Sequence, residues 1–515
     1  MALLFGIPIN SVAGCDRHPH SSILPSVIMR FLSALTIACA FISALGGAQP
    51  TSPSTQPNII FLFADDQQET TISAFGNPHI ETPHLDRLVE SGFSFRQTYC
   101  GGSYSGAVCV ASRSMLMTGR HWMQLEDTQR WTGLSTLPEL LSRTGYRSHI
   151  VGKWHNGGHT LLRSFQSGRS VFLGGMTNHL DVPLADIEGG VLTNRRVANG
   201  FSSTLLADAA VDFLEQPQTE PFFLYVAFTA PHDTRNPPLA YREKYYRQLP
   251  PLPANFLPLH PFDNGLLSPR MRDESLAPWP RPKAMIQQQL AEYYGLVTHL
   301  DEQVGRILAA IEQRSDRDNT YIIYTADHGL SLGQHGLMGK QSLYEHSMKS
   351  PLIICGPQVP AGQSSSALTY VHDLHPTILK LAGVQQPPAV HTADLAPIWE
   401  GHQQSVRESV FMGFSGKIRS IRDERWKLLV YPEINHTQLF DLQQDPLETV
   451  NLAGQPDTEA ITSRMLTLMQ QWQQSLGDRQ ALHTDNPKPK AVDYSTFQQR
   501  RDRWQPDWIY QKYYR

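Results

Sequence analysis

Asn58-Ile-Ile-Phe-Leu-Phe-Ala64, closed by Asp65-Asp66, is the stretch on which the fold turns. The run is apolar after its first residue, too short for a helix and without polar alternation, which fits a strand covered on both faces. The same grammar returns in Phe222-Phe-Leu-Tyr-Val-Ala-Phe228 and Thr320-Tyr-Ile-Ile-Tyr-Thr325. Each run is soon followed by polar residues, Pro231-His232-Asp233 in one case and Asp327-His328-Gly329 in the other. Between them, residues 285–312 place Leu290, Tyr294, Val297, Val304, Leu308 and Ile311 three, four or seven apart, the spacing of one helical face. Strands alternating with helices predict an α/β fold with a large, mostly parallel central sheet flanked by helices. Crevices in such sheets open beyond the carboxyl ends of the strands, where the polar clusters fall.

The rest of the chain is consistent with that core. Of its 515 residues, 40% are apolar and 17% charged, which excludes a disordered polymer, a collagen and a coiled coil. A formal charge of −4 is too small to hold nucleic acid through bulk field, so an anionic ligand must be gripped locally. Residues 1–48 read as an upstream extension and a signal peptide: Met29-Arg30 precedes an apolar run over 31–45 that ends on Gly46-Gly47-Ala48. That run falls short of the ~20 residues a membrane span needs, so no transmembrane segment is expected after cleavage. The expected destination is periplasmic, secreted or cell-surface associated, with a lipoprotein anchor on Cys39 as an alternative. Loss of the leader leaves Cys100, Cys109 and Cys355, an odd number that argues against a disulfide-stapled scaffold. Either one cysteine serves special chemistry or all three are small buried hydrophobes.

Residues 49–385 are expected to form a catalytic domain. Residues 386–515 are expected to form a C-terminal subdomain, with a small antiparallel sheet around Lys427-Leu-Leu-Val-Tyr431 and Gln438-Leu-Phe-Asp-Leu442, a helix over 458–476 and a tail. The proline-rich stretch 250–282 is too long for a plain connector and is expected to wrap the surface or line an entrance.

A helix over 110–117, stopped by Gly119, would put Cys109 at its N-terminus and Arg113 one turn on, facing the same side. Free amide groups, the helix dipole and a guanidinium would together favour an anion there. The string Cys109-Val-Ala-Ser-Arg-Ser-Met-Leu-Met-Thr-Gly-Arg120 resembles the first signature of the type I, formylglycine-dependent sulfatases of the alkaline phosphatase superfamily, C-x-P-S-R followed by T-G-R. Ala111 stands where Pro is commonest. Gly145-Tyr-Arg-Ser-His-Ile-Val-Gly-Lys-Trp-His155 resembles the second signature, with Ser148 for Thr. Asp65-Asp66, Pro231-His232, Asp327-His328-Gly329 and Gly333-Gln-His-Gly-Leu-Met-Gly-Lys340 follow in the family's order, and the likeness runs from about 57 to 450.

The resemblance implies an alkaline-phosphatase-like fold and an exported hydrolase of sulfate monoesters. It implies that Cys109 becomes formylglycine through a formylglycine-generating maturation enzyme. One hydroxyl of the hydrated aldehyde would attack sulfur, and deprotonation of the other would expel sulfate. It assigns Asp65, Asp66, Asp327, His328 and the Cys109-derived hydroxyl to one divalent cation. Oxygen ligands favour Ca²⁺, with Mg²⁺ or Mn²⁺ open because His328 stands where Asn is commoner. It assigns Lys153 and Lys340 to the sulfate oxygens, His155 to the second hydroxyl as base, and His232 to sulfate binding or protonation of the leaving oxygen, with Arg113 beside the nucleophile. The expected substrate is a sulfated glycan, gripped by Arg235 and by His179 and Asp181 of the insert that begins at Gly174, with Trp279 as a stacking wall. The alternatives are a phosphodiester or phosphonate hydrolase of the same superfamily, a choline-sulfatase-like enzyme, and a catalytically silent glycan-binding homologue. His335 and His346 fall outside the expected catalytic set. Asn435-His-Thr437 matches a glycosylation sequon.

Overall fold

All seven residues of the Asn58–Ala64 strand are buried, because both faces of its sheet are covered. Ile59, Phe61 and Phe63 enter one apolar cluster, and Ile60, Leu62 and Ala64 enter another. The Phe222–Ala227 strand divides the same way, Phe223, Tyr225 and Ala227 against Phe222, Leu224 and Val226. Each large side chain so buried contributes about 1.5–3 kcal/mol by leaving water. A polar residue within either run would forfeit that on one face or the other. The computed structural model describes residues 56–269, 271–385, 391–497 and 511–512. The expected leader lies outside them.

Five strands run parallel through the middle of an eleven-stranded sheet, in the order Thr320–Ala326, Asn58–Ala64, Phe222–Ala227, Arg147–Lys153 and Ser167–Phe172. The margins differ from the sequence expectation. Leu352–Cys355 and then Phe93–Tyr99 extend the sheet antiparallel on one side, and Asp181–Glu188 and Val191–Asn199 do so on the other. The sheet is therefore mixed, with five parallel strands at the centre that carries the polar clusters and Gln363–Tyr370 parallel to Phe93–Tyr99 at one margin. The last two strands form a hairpin through Gly189 and Gly190, both at positive φ, a pair of conformations that a two-residue turn needs and glycine supplies without strain.

The 30-residue helix Lys283–Glu312 packs Leu300, Val304, Ile307, Leu308 and Ile311 into the second cluster. Its Asp301 carboxylate accepts from the backbone N–H groups of His84 (3.2 Å) and Leu85 (2.7 Å), satisfying first-turn amides of the helix Pro83–Ser91. On the other face lies Val108–Thr118, a helix whose eleven residues are all buried. Leu116 and Met117 join the first cluster, while Val108, Ala111 and Met115 join a third shared with the smaller sheet. That sheet is an antiparallel meander of Val410–Phe414, Ile418–Arg422, Trp426–Tyr431 and His436–Asp441, backed by the helix Glu459–Leu476 through Met465, Met469 and Leu476. A fifth strand, Gly102–Ser103, pairs parallel to Val410–Phe414 and leads into the helix that carries Cys109. The C-terminal elements thus buttress the Cys109 segment directly. Among the described residues no helix is long and apolar enough to cross a membrane, and Cys100, Cys109 and Cys355 are buried free thiols.

Candidate active site

Three strand ends meet at one point. Asp65 and Asp66 follow Asn58–Ala64, and Asp66 takes a left-handed turn (φ 64°) that aspartate tolerates better than most residues. The Asp66 N–H donates to Asp327 Oδ1 at 3.0 Å, and the His328 N–H donates to the same oxygen at 3.1 Å. Tyr293 donates its hydroxyl to the Asp66 carbonyl at 2.6 Å, fixing the turn from the long helix. Carboxylate oxygens of Asp65, Asp66 and Asp327 all lie within 4.8 Å of one another. Cys109 Sγ lies within the same distance of ligand atoms on Asp327 and His328.

The Cys109 helix is pinned to this corner from two positions. Ser112 donates to the Asp327 carbonyl at 2.8 Å. Arg113, fully buried, donates through Nη2 to Asp327 Oδ2 at 3.1 Å and through Nη1 to the Lys153 carbonyl at 3.1 Å, with its guanidinium 4.7 Å above the Phe63 ring. Lys153 pairs with Asp65, and Lys340 Nζ stands 2.9 Å from both Asp66 oxygens and 2.9 Å from His232 Nε2. His155 reaches Cys109 Sγ with Nδ1 at 3.1 Å. Three buried carboxylates therefore face three buried cations, with the imidazoles of His155, His232 and His328 beside them. Burial pushes Asp66 well above the ordinary carboxylate range, Lys340 opposing and Asp65 and Asp327 adding to the rise. Burial acts on Asp327 in the same sense, but His328, Arg113 and Lys153 outweigh it and hold that group low. Burial and the charge of Lys153 lower His155 to about 2, which keeps its ring neutral beside Cys109.

Arg113→Lys is expected to lower kcat by about 10–100-fold, because a single ammonium cannot keep the two divergent bonds to Asp327 and the Lys153 carbonyl. Steady-state kinetics check this. A kcat within twofold of the parent would show that the fork is not needed.

A family model described as Sulfatase matches residues 57–384, nearly two thirds of the chain, and one described as N-sulphoglucosamine sulphohydrolase, C-terminal, matches residues 333–475. The chain belongs to the sulfatase family. It is 27% identical to an N-acetylglucosamine-6-O-sulfatase of Bacteroides thetaiotaomicron, over 89% of this chain and 95% of that one. It is 26% identical to an arylsulfatase of Clostridium perfringens, over 84% and 97%. A solved protein in complex with its substrate D-glucosamine-2-N,6-O-disulfate superposes with a TM-score of 0.71 at 25% identity, covering 82% of this chain and 99% of that one.

Within this sulfatase, the residues expected to grip substrate lie elsewhere than anticipated. His179 is buried: its Nδ1 accepts from Ser202 Oγ at 2.7 Å, and its Nε2 donates to the His232 carbonyl at 2.9 Å. With both ring nitrogens engaged, it props the His232 backbone and is not open to a sugar. Arg235 is buried against Gln289 behind the same segment. Asp181 alone is exposed, at the start of Asp181–Glu188, and accepts from Asn178 Nδ2 at 3.2 Å. Trp279 presents no free wall, since the Arg281 guanidinium covers its ring at 4.4 Å and Phe497 meets it edge-on at 5.0 Å. His335 and His346 stack with Tyr344, and Asn435 of the sequon exchanges two side-chain bonds with the Thr484 backbone. The insert nevertheless reaches the site at Gly175, where a Cβ would fall 2.2 Å from His155 Nε2, so only glycine passes there.

Sequence reasoning missed several contributors. Asn156 ties the Cys109 helix to its flank, donating to the Val110 carbonyl (3.0 Å), Ser114 Oγ (2.8 Å) and the Thr128 carbonyl (2.9 Å). Asp233 and Arg272 stand behind His232. Asn156 carried a signal in its place directly after His155 in the second signature, and Asp233 in its place beside His232 in the polar cluster, while Arg272 carried none.

The donor set fits a divalent cation. Two buried atoms that face the carboxylate cluster, Asp65 Oδ1 and His328 Nε2, have no hydrogen-bond partner among the described residues, which is costly unless a ligand takes them up. Hard carboxylate oxygens from Asp65, Asp66 and Asp327 with one imidazole suit Ca²⁺, Mg²⁺ or Mn²⁺.

Proposed function

We propose that this sulfuric ester hydrolase is exported and removes sulfate from a glycan, using Cys109 as formylglycine and one divalent cation, calcium. The observation that carries the reading is the placing of Cys109 Sγ against Asp327 and His328, with neutral His155 at 3.1 Å on its other side. Lys153 and Lys340 are then poised to bind the sulfate oxygens, and Asp65 and Asp66, their present partners, are carboxylates that would hold the cation. Arg113 holds Asp327 and the first turn of the helix in register. His155 takes the proton from the second hydroxyl of residue 109, and His232 meets the leaving oxygen. When bound, the cation supplies Lewis acidity toward a sulfate oxygen and lowers the pKa of the nucleophile. As the hydrate, formylglycine supplies two hydroxyls on one carbon, so that a single residue both attacks sulfur and expels it.

A glycan substrate is supported by the likeness to an N-acetylglucosamine-6-O-sulfatase and to a solved protein whose substrate is D-glucosamine-2-N,6-O-disulfate. It is also supported by a groove of about 640 Å³ beside the insert, lined by Leu173, Gly174, Met176, Pro183 and Val197 with Arg195 at its edge. That volume accommodates a sugar unit, and a guanidinium suits a second anionic group. The test is desulfation of defined galactose, N-acetylgalactosamine and glucosamine sulfates by protein matured with a formylglycine-generating enzyme, alongside aryl sulfate and aryl phosphate. Sulfate release from at least one sugar is the expected result. Preference for the phosphate, or retention of sulfated glycan without hydrolysis, would overturn the reading. Export is checked by sequencing the N-terminus of the mature chain, expected to begin at Gln49.

A further inference from the structure

His232 is held by more contacts than a surface histidine would be, and they fix its proton. Nδ1 lies 2.7 Å from the Asp233 carbonyl, which can only accept, so Nδ1 carries the hydrogen. Nε2 lies 2.9 Å from Lys340 Nζ, which can only donate, so Nε2 presents its lone pair toward the pocket. Asp233 Oδ1 also stands 3.2 Å from Nδ1. That carboxylate is gripped by the two arms of Arg272, Nη1 to Oδ1 at 3.1 Å and Nη2 to Oδ2. Arg272 comes from the irregular stretch between 250 and 282, and its Nη1 also donates to Asp273 at 2.8 Å. The other Asp273 oxygen accepts from Gln341 Nε2 at 2.8 Å, and that nitrogen reaches the Gly106 carbonyl at 2.9 Å. One bonded chain therefore links the loop before Cys109, the neighbour of Lys340, and His232.

We propose that Asp233 and Arg272 are positioning residues that lock His232 as the Nδ1–H tautomer and aim Nε2 at the leaving oxygen. The inference rests on the sulfatase reading of the site and deepens it. When the bond between sulfur and the leaving oxygen breaks, the electron pair stays on oxygen; the Lys340 ammonium, 2.9 Å from Nε2, gives a proton to that nitrogen, which passes it to the oxygen and completes the alcohol. A ring free to flip would present either nitrogen, and the Asp233 carbonyl bonded to the far nitrogen, with the Asp233 carboxylate 3.2 Å from the same atom, prevents this. Asp233 alone is a short side chain with freedom to turn. The bidentate guanidinium removes that freedom, and a lysine cannot replace its geometry.

A proton matters little to a nitrophenolate, which leaves readily as an anion, and matters greatly to a sugar alkoxide. Arg272→Gln and Asp233→Asn are therefore expected to lower kcat/KM on a sugar sulfate by about tenfold or more beyond their effect on nitrophenyl sulfate. Arg272→Lys should recover only part of the loss. In a His232→Ala background, Asp233→Asn should cost nothing further, since its effect runs through the ring. The Arg272 side chain is 29% exposed, so its replacement leaves the core intact even if the Asp233 variant fails to fold. Equal losses on both substrates, or additive losses with His232→Ala, would overturn the proposal. ¹⁵N-histidine NMR of the intact protein gives a readout independent of turnover. His232 protonated on Nδ1 is expected, and protonation on Nε2 would refute the lock. A parent protein that hydrolyses neither ester while showing the Nδ1–H signal would count against the functional reading and leave the lock standing.

Discussion

Cys109→Ser is expected to lose turnover of sulfate esters by at least ~10⁴-fold while retaining a single chemical event. A serine hydroxyl in the first turn of Val108–Thr118 would still face Asp327 and His328, with His155 3.1 Å from the position of the present sulfur. It can attack sulfur once. It has no second hydroxyl on the same carbon, so the sulfate it accepts is not expelled, and water must reach a buried ester through a site built to exclude it. The variant should therefore gain the mass of one SO₃ group on the peptide containing residue 109, after one turnover and no more. Cys109→Ala should be equally inactive and gain no mass. In the mature parent, the same peptide should show one oxygen in place of the sulfur and two hydrogens. A serine variant turning over within tenfold of the parent would remove the need for an aldehyde altogether.

What could be read from the sequence was set by how local each cause is. The Asn58–Ala64, Phe222–Ala227 and Thr320–Ala326 strands announce themselves because burial on two faces forces an apolar run, and their polar successors mark the crevice. The outer strands give little notice. Val191–Asn199 carries Thr, Asn and two Arg in succession and is half exposed, so its place comes from pairing with Asp181–Glu188 and not from its own pattern. Gly102–Ser103 is too short for any periodicity, yet it carries the smaller sheet to the Cys109 helix. Most motif residues converge because they sit just past a central strand or in the first turns of a helix, and Lys340 arrives on the irregular stretch that follows Thr320–Ala326. Arg272 and Asp233 are brought together by the path of an irregular segment that no local rule specifies. His179 looked like a loop ligand because histidine is polar, and only the packing around Ser202 and the His232 carbonyl makes it an internal prop.

Chelation of the mature protein is expected to reduce turnover by 100-fold or more, and added Ca²⁺ to restore it, while Asp327→Asn should be inactive and not rescued. Asp65, Asp66 and Asp327 place their oxygens within 4.8 Å of one another in a buried corner, where like charges repel strongly unless a cation lies between them. Lys153 and Lys340 meet that need by pairing with Asp65 and Asp66, the same two lysines proposed to bind the sulfate oxygens. Removing the ion therefore returns both lysines to the carboxylates and closes the site to substrate. Asp327→Asn also deprives buried Arg113 of a partner at 3.1 Å, a loss of the kind that costs about 3–5 kcal/mol. Its melting temperature should accordingly fall even with calcium present. In the parent, ligand linkage predicts the opposite dependence: a free ion at 100 times its Kd raises stability by about 2.7 kcal/mol, so Tm should climb with calcium concentration. His328→Asn, which replaces the imidazole whose Nε2 has no hydrogen-bond partner among the described residues, should narrow the preference toward Ca²⁺ over Mn²⁺. Chelated protein with unchanged turnover and unchanged Tm would mean that the three carboxylates are neutralised by the lysines alone and that no ion takes part.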